Sequence, residues 1–210
     1  MDVYLVRHGQ TAMNAIGIHQ MPDEPLNELG HAQAKTVANW LAGQSIDRLY
    51  ASPYVRARET AQAISEAVDL PIEILESVTE FRRPDYTYGK RHVGFASLWY
   101  LWQLFTHRYD PTWDDDNAEN TYAVRNRVHD TKDALIQGGG ERVVVVSHAI
   151  FMNWFLELLC NEIDLTFYQC VRGILNTKRT KNTEIFHLRY DAAAAPGTCA
   201  WQLVEKIQVH

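Results

Sequence analysis

The run Val143-Val144-Val145-Val146 constrains the fold more than any other stretch of the chain. Four β-branched residues in succession leave no polar face. A strand built from them must be covered on both sides, as in the parallel sheets of α/β proteins. It ends at Ser147-His148-Ala149, and a helical pattern follows with Phe151, Trp154, Phe155 and Leu158 on one face. The N-terminus repeats the arrangement: residues 2–6 form a short apolar run that stops at Arg7-His8-Gly9. Two buried strands thus each deliver a histidine at their carboxyl ends, where open α/β sheets bind ligands.

Strand and helix signals alternate between these two runs. Asn27 is placed to cap a helix whose apolar face is Ala34, Val37, Ala38 and Leu41, with Gly43 as its stop. Residues 47–51 read as a second strand. Ser52 and Pro53 then read as cap and first residue of a helix that buries Ala57, Ala61, Ile64 and Val68. Arg56 falls in that helix's first turn, leaning back toward the strand mouth beside the positive end of the helix dipole. Pro71 to Leu75 is a third strand, and Glu80 follows on a loop. Residues 81–117 break the rhythm. Within them Phe95, Leu98, Trp102 and Phe105 share a helical face, which predicts packing on the core, a cap over the crevice or the face of a homodimer. The aromatic residues there suggest an apolar or ring-bearing leaving group. Asp114-Asp115-Asp116 reads as a solvated turn. A helix from Glu119 to Gln137 turns Val124, Val128 and Leu135 inward, and 183–190 with 200–207 form a hairpin around Pro196-Gly197. The expected fold is a single domain, a three-layer α/β/α sandwich with a mixed, mainly parallel sheet and a helical cap insertion at about 81–117.

Parallel strand ends lie along one sheet edge, so Arg7, His8, Arg56 and His148 converge on one crevice. Two guanidinium forks suit a tetrahedral dianion, and their charge keeps a neighbouring imidazole neutral and nucleophilic. A nucleophilic histidine splits a hard displacement into two steps through a covalent intermediate. The departing oxygen needs an acid, and Glu80 is the best-placed carboxylate. The net charge of -6 argues against a nucleic-acid partner. No apolar run reaches the length of a membrane span, and no signal peptide precedes the first strand. Three cysteines, Cys160, Cys170 and Cys199, are odd in number and lack metal-ligand spacing. They predict a reducing, cytoplasmic setting without structural disulfides.

Four motifs in order resemble the histidine phosphatases, the phosphoglycerate mutase-like superfamily. They are Leu5-Val6-Arg7-His8-Gly9-Gln10-Thr11 with Asn14, Leu26 to Ala34, Ser52 to Ala61, and Val144-Val145-Val146-Ser147-His148. The resemblance implies a phosphohistidine on His8, with Arg7, Arg56 and His148 binding the transferred group. It implies hydrogen bonds from Asn14 and Gln20, Glu80 as proton donor, and no metal or organic cofactor. Phe81-Arg82-Arg83-Pro84 after Glu80 departs from the family's Gly-x-Trp-x-Gly-like stretch and leaves Asp85 as a rival acid. Ala149 after His148 excludes the acid-phosphatase arrangement, which has Asp there. Three activities follow: a phosphatase acting on a small phosphate ester or a phosphoprotein, a phosphomutase, and a non-catalytic phospho-ligand binder. His19, His31, His107, His129, His187 and His210 read as surface or polar-network residues. His92, in the Lys90-Arg91-His92 cluster, and Arg82 and Arg83 are placed to reach a substrate's distal charge.

Overall fold

The computed structural model describes residues 1–160, 166–195 and 197–210. Its strands are β1 (Asp2–Arg7), β2 (Arg48–Ala51), β3 (Ile72–Ile74), β4 (Arg142–Ser147), β5 (Ile185–Tyr190) and β6 (Trp201–Ile207). They form one sheet in the order β3-β2-β4-β1-β5-β6. β3, β2, β4 and β1 run parallel, while β5 is antiparallel to β1 and β6 to β5. The expected mixed sheet is the observed one. Pro196, in the expected turn before β6, lies outside the described residues.

Successive side chains of a strand point to opposite faces, so the two central strands divide their apolar residues between two cores. Tyr4, Val6, Val144 and Val146 pack with Val37, Ala38 and Leu41 of α2 (Glu28–Ala42) and Ala57, Ala61 and Ile64 of α3 (Val55–Val68). Val3, Leu5, Val143 and Val145 pack with Val124, Val128 and Leu135 of α5 (Thr121–Gly138) and Phe151, Trp154 and Phe155 of α6 (Ala149–Glu157). The result is three layers. The remaining helices are α1 (Ala12–Ala15), α4 (Phe95–Thr106) and α7 (Phe167–Thr177). Among the described residues no helix is long and apolar enough to cross a membrane.

Three sequence-based expectations are corrected. First, α3 begins two residues late, with Tyr54 at its N-cap. Ser52 instead places its hydroxyl 2.8 Å from His148 Nε2. Second, α4 buries Ser97, Tyr100 and Leu104, and Phe95, Leu98 and Trp102 of the predicted inner face are exposed. Tyr100 reaches inward because its hydroxyl finds an acceptor, the Glu119 carbonyl, at 3.0 Å. Third, Cys160 and Cys199 form a disulfide. The β5–β6 hairpin returns Cys199 to the end of α6, a pairing no local spacing announces, and buried Cys170 stays free. The bridge removes the cysteine-count argument for a reducing compartment.

Candidate active site

β1 and β4 are in register, with Arg7 opposite Ser147, so the next residue of each strand is a histidine at the same sheet edge. The rings of His8 and His148 lie 5.1 Å apart. The backbone at His8 is gripped on several sides. Its N–H donates to Ser147 O at 3.0 Å, and its carbonyl accepts from Asn182 Nδ2 at 3.1 Å. Gly9 N–H donates to Thr60 Oγ1 of α3 at 3.0 Å. The loop after β1 presses directly on α2. A Cβ on Gly9 would stand 2.5 Å from Gly30 O, and one on Gly30 would stand 2.1 Å from Gln10 O. Only residues without side chains permit that approach.

His8 Nδ1 lies 2.7 Å from the Gly9 carbonyl oxygen. A carbonyl only accepts, so Nδ1 carries the hydrogen and Nε2 keeps the lone pair. Burial, then the charges of Arg56 and Arg7, hold His8 well below the usual imidazole range. His148 is lowered likewise by burial, Arg56 and His8. Burial also lowers Arg7, to about 10, which still leaves it cationic at neutral pH. Arg7 donates to Thr180 O, and Arg56 donates to Met21 O at 2.8 Å and stacks 5.0 Å over Tyr54. Arg7 Nε, Arg56 Nε and His148 Nδ1 are buried without a hydrogen-bond partner. Buried polar atoms are nearly always paired, and these three belong to residues at the ends of β1 and β4 and in the first turn of α3.

Glu80 sits at the N-terminus of α6. Its Oε1 accepts from Phe81 N–H at 2.9 Å and Phe151 N–H at 3.1 Å, whereas Oε2 accepts only a long contact of 3.4 Å from Ile150 N–H. Oε2 is therefore the oxygen with hydrogen-bonding capacity left. The loop bearing Glu80 is braced by Arg127 of α5. Its Nη1 donates to Ser77 O at 2.8 Å and to Thr79 O at 2.9 Å. Its Nε and Nη2 meet Glu119 Oε1 and Oε2 at 2.6 and 2.8 Å.

Arg7, Asn14, Gln20, Arg56 and Glu80 line one pocket, with His8 and His148 buried beside it. Gln20 Nε2 donates to Thr11 Oγ1, which also accepts from Asn14 N–H at 3.2 Å. Asp85 is exposed and absent from the lining, and so is Arg82. His19, read as a surface or polar-network residue, is buried in the pocket wall with its Nε2 2.9 Å from Ser97 Oγ, because residues 17–19 pair with 89–92. From α4 Ser97 and Leu101 line the pocket, and its aromatic residues are not among the lining. Sequence reasoning passed over Tyr54, Arg127, and Ile174 and Thr177 of α7. For α7 a signal existed: Thr166-x-x-Gln169 is a capping box, and the structure forms it.

Comparison with known proteins agrees with this geometry. The family model of the histidine phosphatase superfamily (branch 1) matches residues 3–193. An uncharacterized protein of Mycobacterium tuberculosis, Rv0525, is 32% identical over 163 residues, 75% of this chain and 77% of that one. The adenosylcobalamin/alpha-ribazole phosphatase of Salmonella typhimurium is 38% identical over 87 residues, 41% of this chain and 43% of that one. The mycobacterial glucosyl-3-phosphoglycerate phosphatase, solved with VO3, superposes with a TM-score of 0.72 at 22% identity, covering 97% of each chain. The phosphoserine phosphatase of Entamoeba histolytica has the same fold, with a TM-score of 0.72 at 21% identity over 99% of this chain and 97% of that one. The chain belongs to the histidine phosphatase superfamily, branch 1.

Proposed function

We propose that the protein is a phosphatase that hydrolyses a phosphate monoester through a phosphohistidine on His8. The observation that carries this reading is the state of His8. Its Nδ1 is committed to the Gly9 carbonyl and its ring is neutral, so Nε2 offers a lone pair beside two guanidinium groups. In the first step Nε2 attacks phosphorus and the ester P–O bond breaks, the departing oxygen taking a proton from Glu80. In the second, water attacks phosphorus and the P–N bond breaks. The water's proton goes to Glu80, and inorganic phosphate leaves. Arg7, Arg56 and His148 hold the phosphoryl oxygens and offset the charge that develops on them, which is most of phosphoryl-transfer catalysis. Three of the four relatives reported above are named phosphatases and differ in substrate, so they support the reaction class and no single ester.

The test is phosphate release from a panel of monoesters with EDTA present, by wild type and His8→Ala. The expected result is release by wild type alone, with a loss of roughly 1000-fold or more in the variant. Quenched wild type should carry an acid-labile phosphate on His8. Equal release by His8→Ala would sink the mechanism, and phosphoglycerate isomerisation faster than hydrolysis would reassign the protein as a mutase.

A further inference from the structure

The pocket extends beyond the phosphoryl-binding groups to a roof that hydrolysis itself does not use. His19 N–H donates to Lys90 O at 2.9 Å and His92 N–H to Gly17 O at 2.8 Å. This pairing brings the two imidazoles to 4.6 Å, and His19 Nε2 lies 2.9 Å from Ser97 Oγ. Arg83 joins them in the lining, with exposed Lys178 at the end of α7. Arg83 is half-buried, and among the described residues no carboxylate pairs with it. Burial and then the Arg83 charge lower His19, to about 3, and the same two causes lower His92. The charges acting on His8, by contrast, are Arg56 and Arg7. Arg83 thus sits with the roof imidazoles, and Glu80 is the carboxylate whose charge acts on it.

The charge balance of the pocket is unequal. Of the residues lining the pocket, Arg7, Arg56, Arg83 and Lys178 carry positive charge and Glu80 negative, while both roof imidazoles are held neutral; Glu184 and Glu24 act on Arg7 and Arg56 from outside the lining. Glu184, Glu24 and a phosphate dianion answer the charge at the Arg7 and Arg56 end. Arg83, partly withdrawn from water and without a carboxylate in ion-pair contact among the described residues, is costly to hold there unless a ligand supplies its counterpart.

We propose that Arg83, with Lys178 at the rim, binds a second anionic group, a carboxylate or a phosphate, on the alcohol half of the substrate. This rests on the phosphatase reading for placing the scissile phosphate at His8, and it names the substrate class: a phosphate monoester whose leaving alcohol carries its own negative charge. A guanidinium fork fits either oxyanion. His19, His92 and Tyr88 offer hydrogen bonds along the passage without adding charge.

Binding of non-hydrolysable probes tests this without requiring turnover. A series of ω-phosphonocarboxylates and alkane bisphosphonates of increasing length is compared by calorimetry with alkylphosphonates of the same lengths. At the best length the doubly charged probe should bind wild type about 10-fold tighter or better, and Arg83→Gln should reduce that ratio to within about 3-fold. The tighter of the two doubly charged series identifies the second anion. Equal affinity across the series in wild type would overturn the proposal, even if simple esters are hydrolysed. A preference that survives unchanged in folded Arg83→Gln would overturn it too. Tight doubly charged probes with no ester turned over would keep the site and remove the phosphatase reading.

Discussion

Replacing Glu119 by Gln removes one charge from a buried pair and keeps the side chain's shape. The Glu119 side chain is 1% exposed and that of Arg127 16%. Its two oxygens accept Arg127 Nε at 2.6 Å, Arg127 Nη2 at 2.8 Å and the Arg82 N–H at 2.9 Å. A glutamine oxygen can still accept from one side. Its amide nitrogen then meets a donor on the other, and Arg127 is left charged and largely buried. Breaking a buried pair by removing one partner costs about 3–5 kcal/mol, and the surviving hydrogen bond places this variant near about 3. For a domain of this size, each kcal/mol lowers the melting temperature by about 2–4 °C, so the fall should be about 6–12 °C. Catalysis should suffer selectively. Arg127 holds Ser77 and Thr79 just before Glu80, and Glu119 holds Arg82 just after it. Freed on both sides, Glu80 drifts, and a misplacement of about 1 Å costs roughly 100-fold. Alkyl phosphates need a proton on the leaving oxygen and should show that loss, whereas 4-nitrophenyl phosphate, whose leaving group departs unprotonated, should lose much less. The assay is thermal unfolding together with kcat on both esters. A melting temperature within about 2 °C of wild type, or equal losses on both esters, would refute the reasoning.

Three further outcomes follow from the fold and site. The Cys160–Cys199 bridge closes a loop with a separation of 39 residues, so reduction should destabilise the protein by about 4 kcal/mol in the chain-entropy account; alkylation of the denatured, unreduced chain should label Cys170 alone, and labelling of all three cysteines would disprove the bridge. His8 and His148, lowered well below 6.5, and His19, lowered to about 3, stay neutral in the fold while the unfolded chain takes up protons below pH 6.5. The unfolded state then binds more protons, so stability is fully present above pH 6.5 and falls as pH drops, by about 2 kcal/mol at pH 5 for His19, with His8 and His148 adding in the same direction; urea midpoints equal at pH 7.5 and 5 would contradict this. Gly30→Ala drives a methyl into Gln10 O, a backbone atom 2.1 Å away, and should cost about 1–3 kcal/mol and lower kcat. Gly43→Ala, whose nearest neighbour is 3.5 Å away, is the control and should change neither.

How much could be read from the chain depended on where each contact is made. The strands and their histidines were legible because β1 and β4 are buried on both faces and end at the same edge, so pattern and position carry the same information. The face of α4 was not. A helix apolar nearly all round offers several candidate stripes, and the buried one was chosen by the acceptor that Tyr100 finds on Glu119. Arg127 escaped notice because an arginine in a helix looks solvated until α5 is laid against the turn before Glu80. The disulfide and the placement of His19 depend in the same way on segments that meet only in the fold.

The two ends of the pocket are built differently, and this bears on how the protein can change. Arg7 ends a central strand and His8 directly follows it, and Arg56 lies in the first turn of α3. His148 is the N-cap residue of α6, and Glu80 is held by that helix's first amides. Their backbone positions follow from the strands and helix starts of the fold, and at Glu80 the Arg127–Glu119 brace adds side-chain support, the rigid placement a functional site needs. The roof is instead drawn from residues 17–20, 81–92 and the end of α7, mostly loops whose side chains can be exchanged without disturbing the sheet. Variants selected for hydrolysis of an ester with a neutral alcohol should therefore carry their changes in the roof, at Arg83 first, and retain Arg7, His8, Arg56 and His148. Sequencing the selected variants checks this, and changes concentrated around β1 and β4 with Arg83 untouched would show that specificity is set at the phosphoryl end instead.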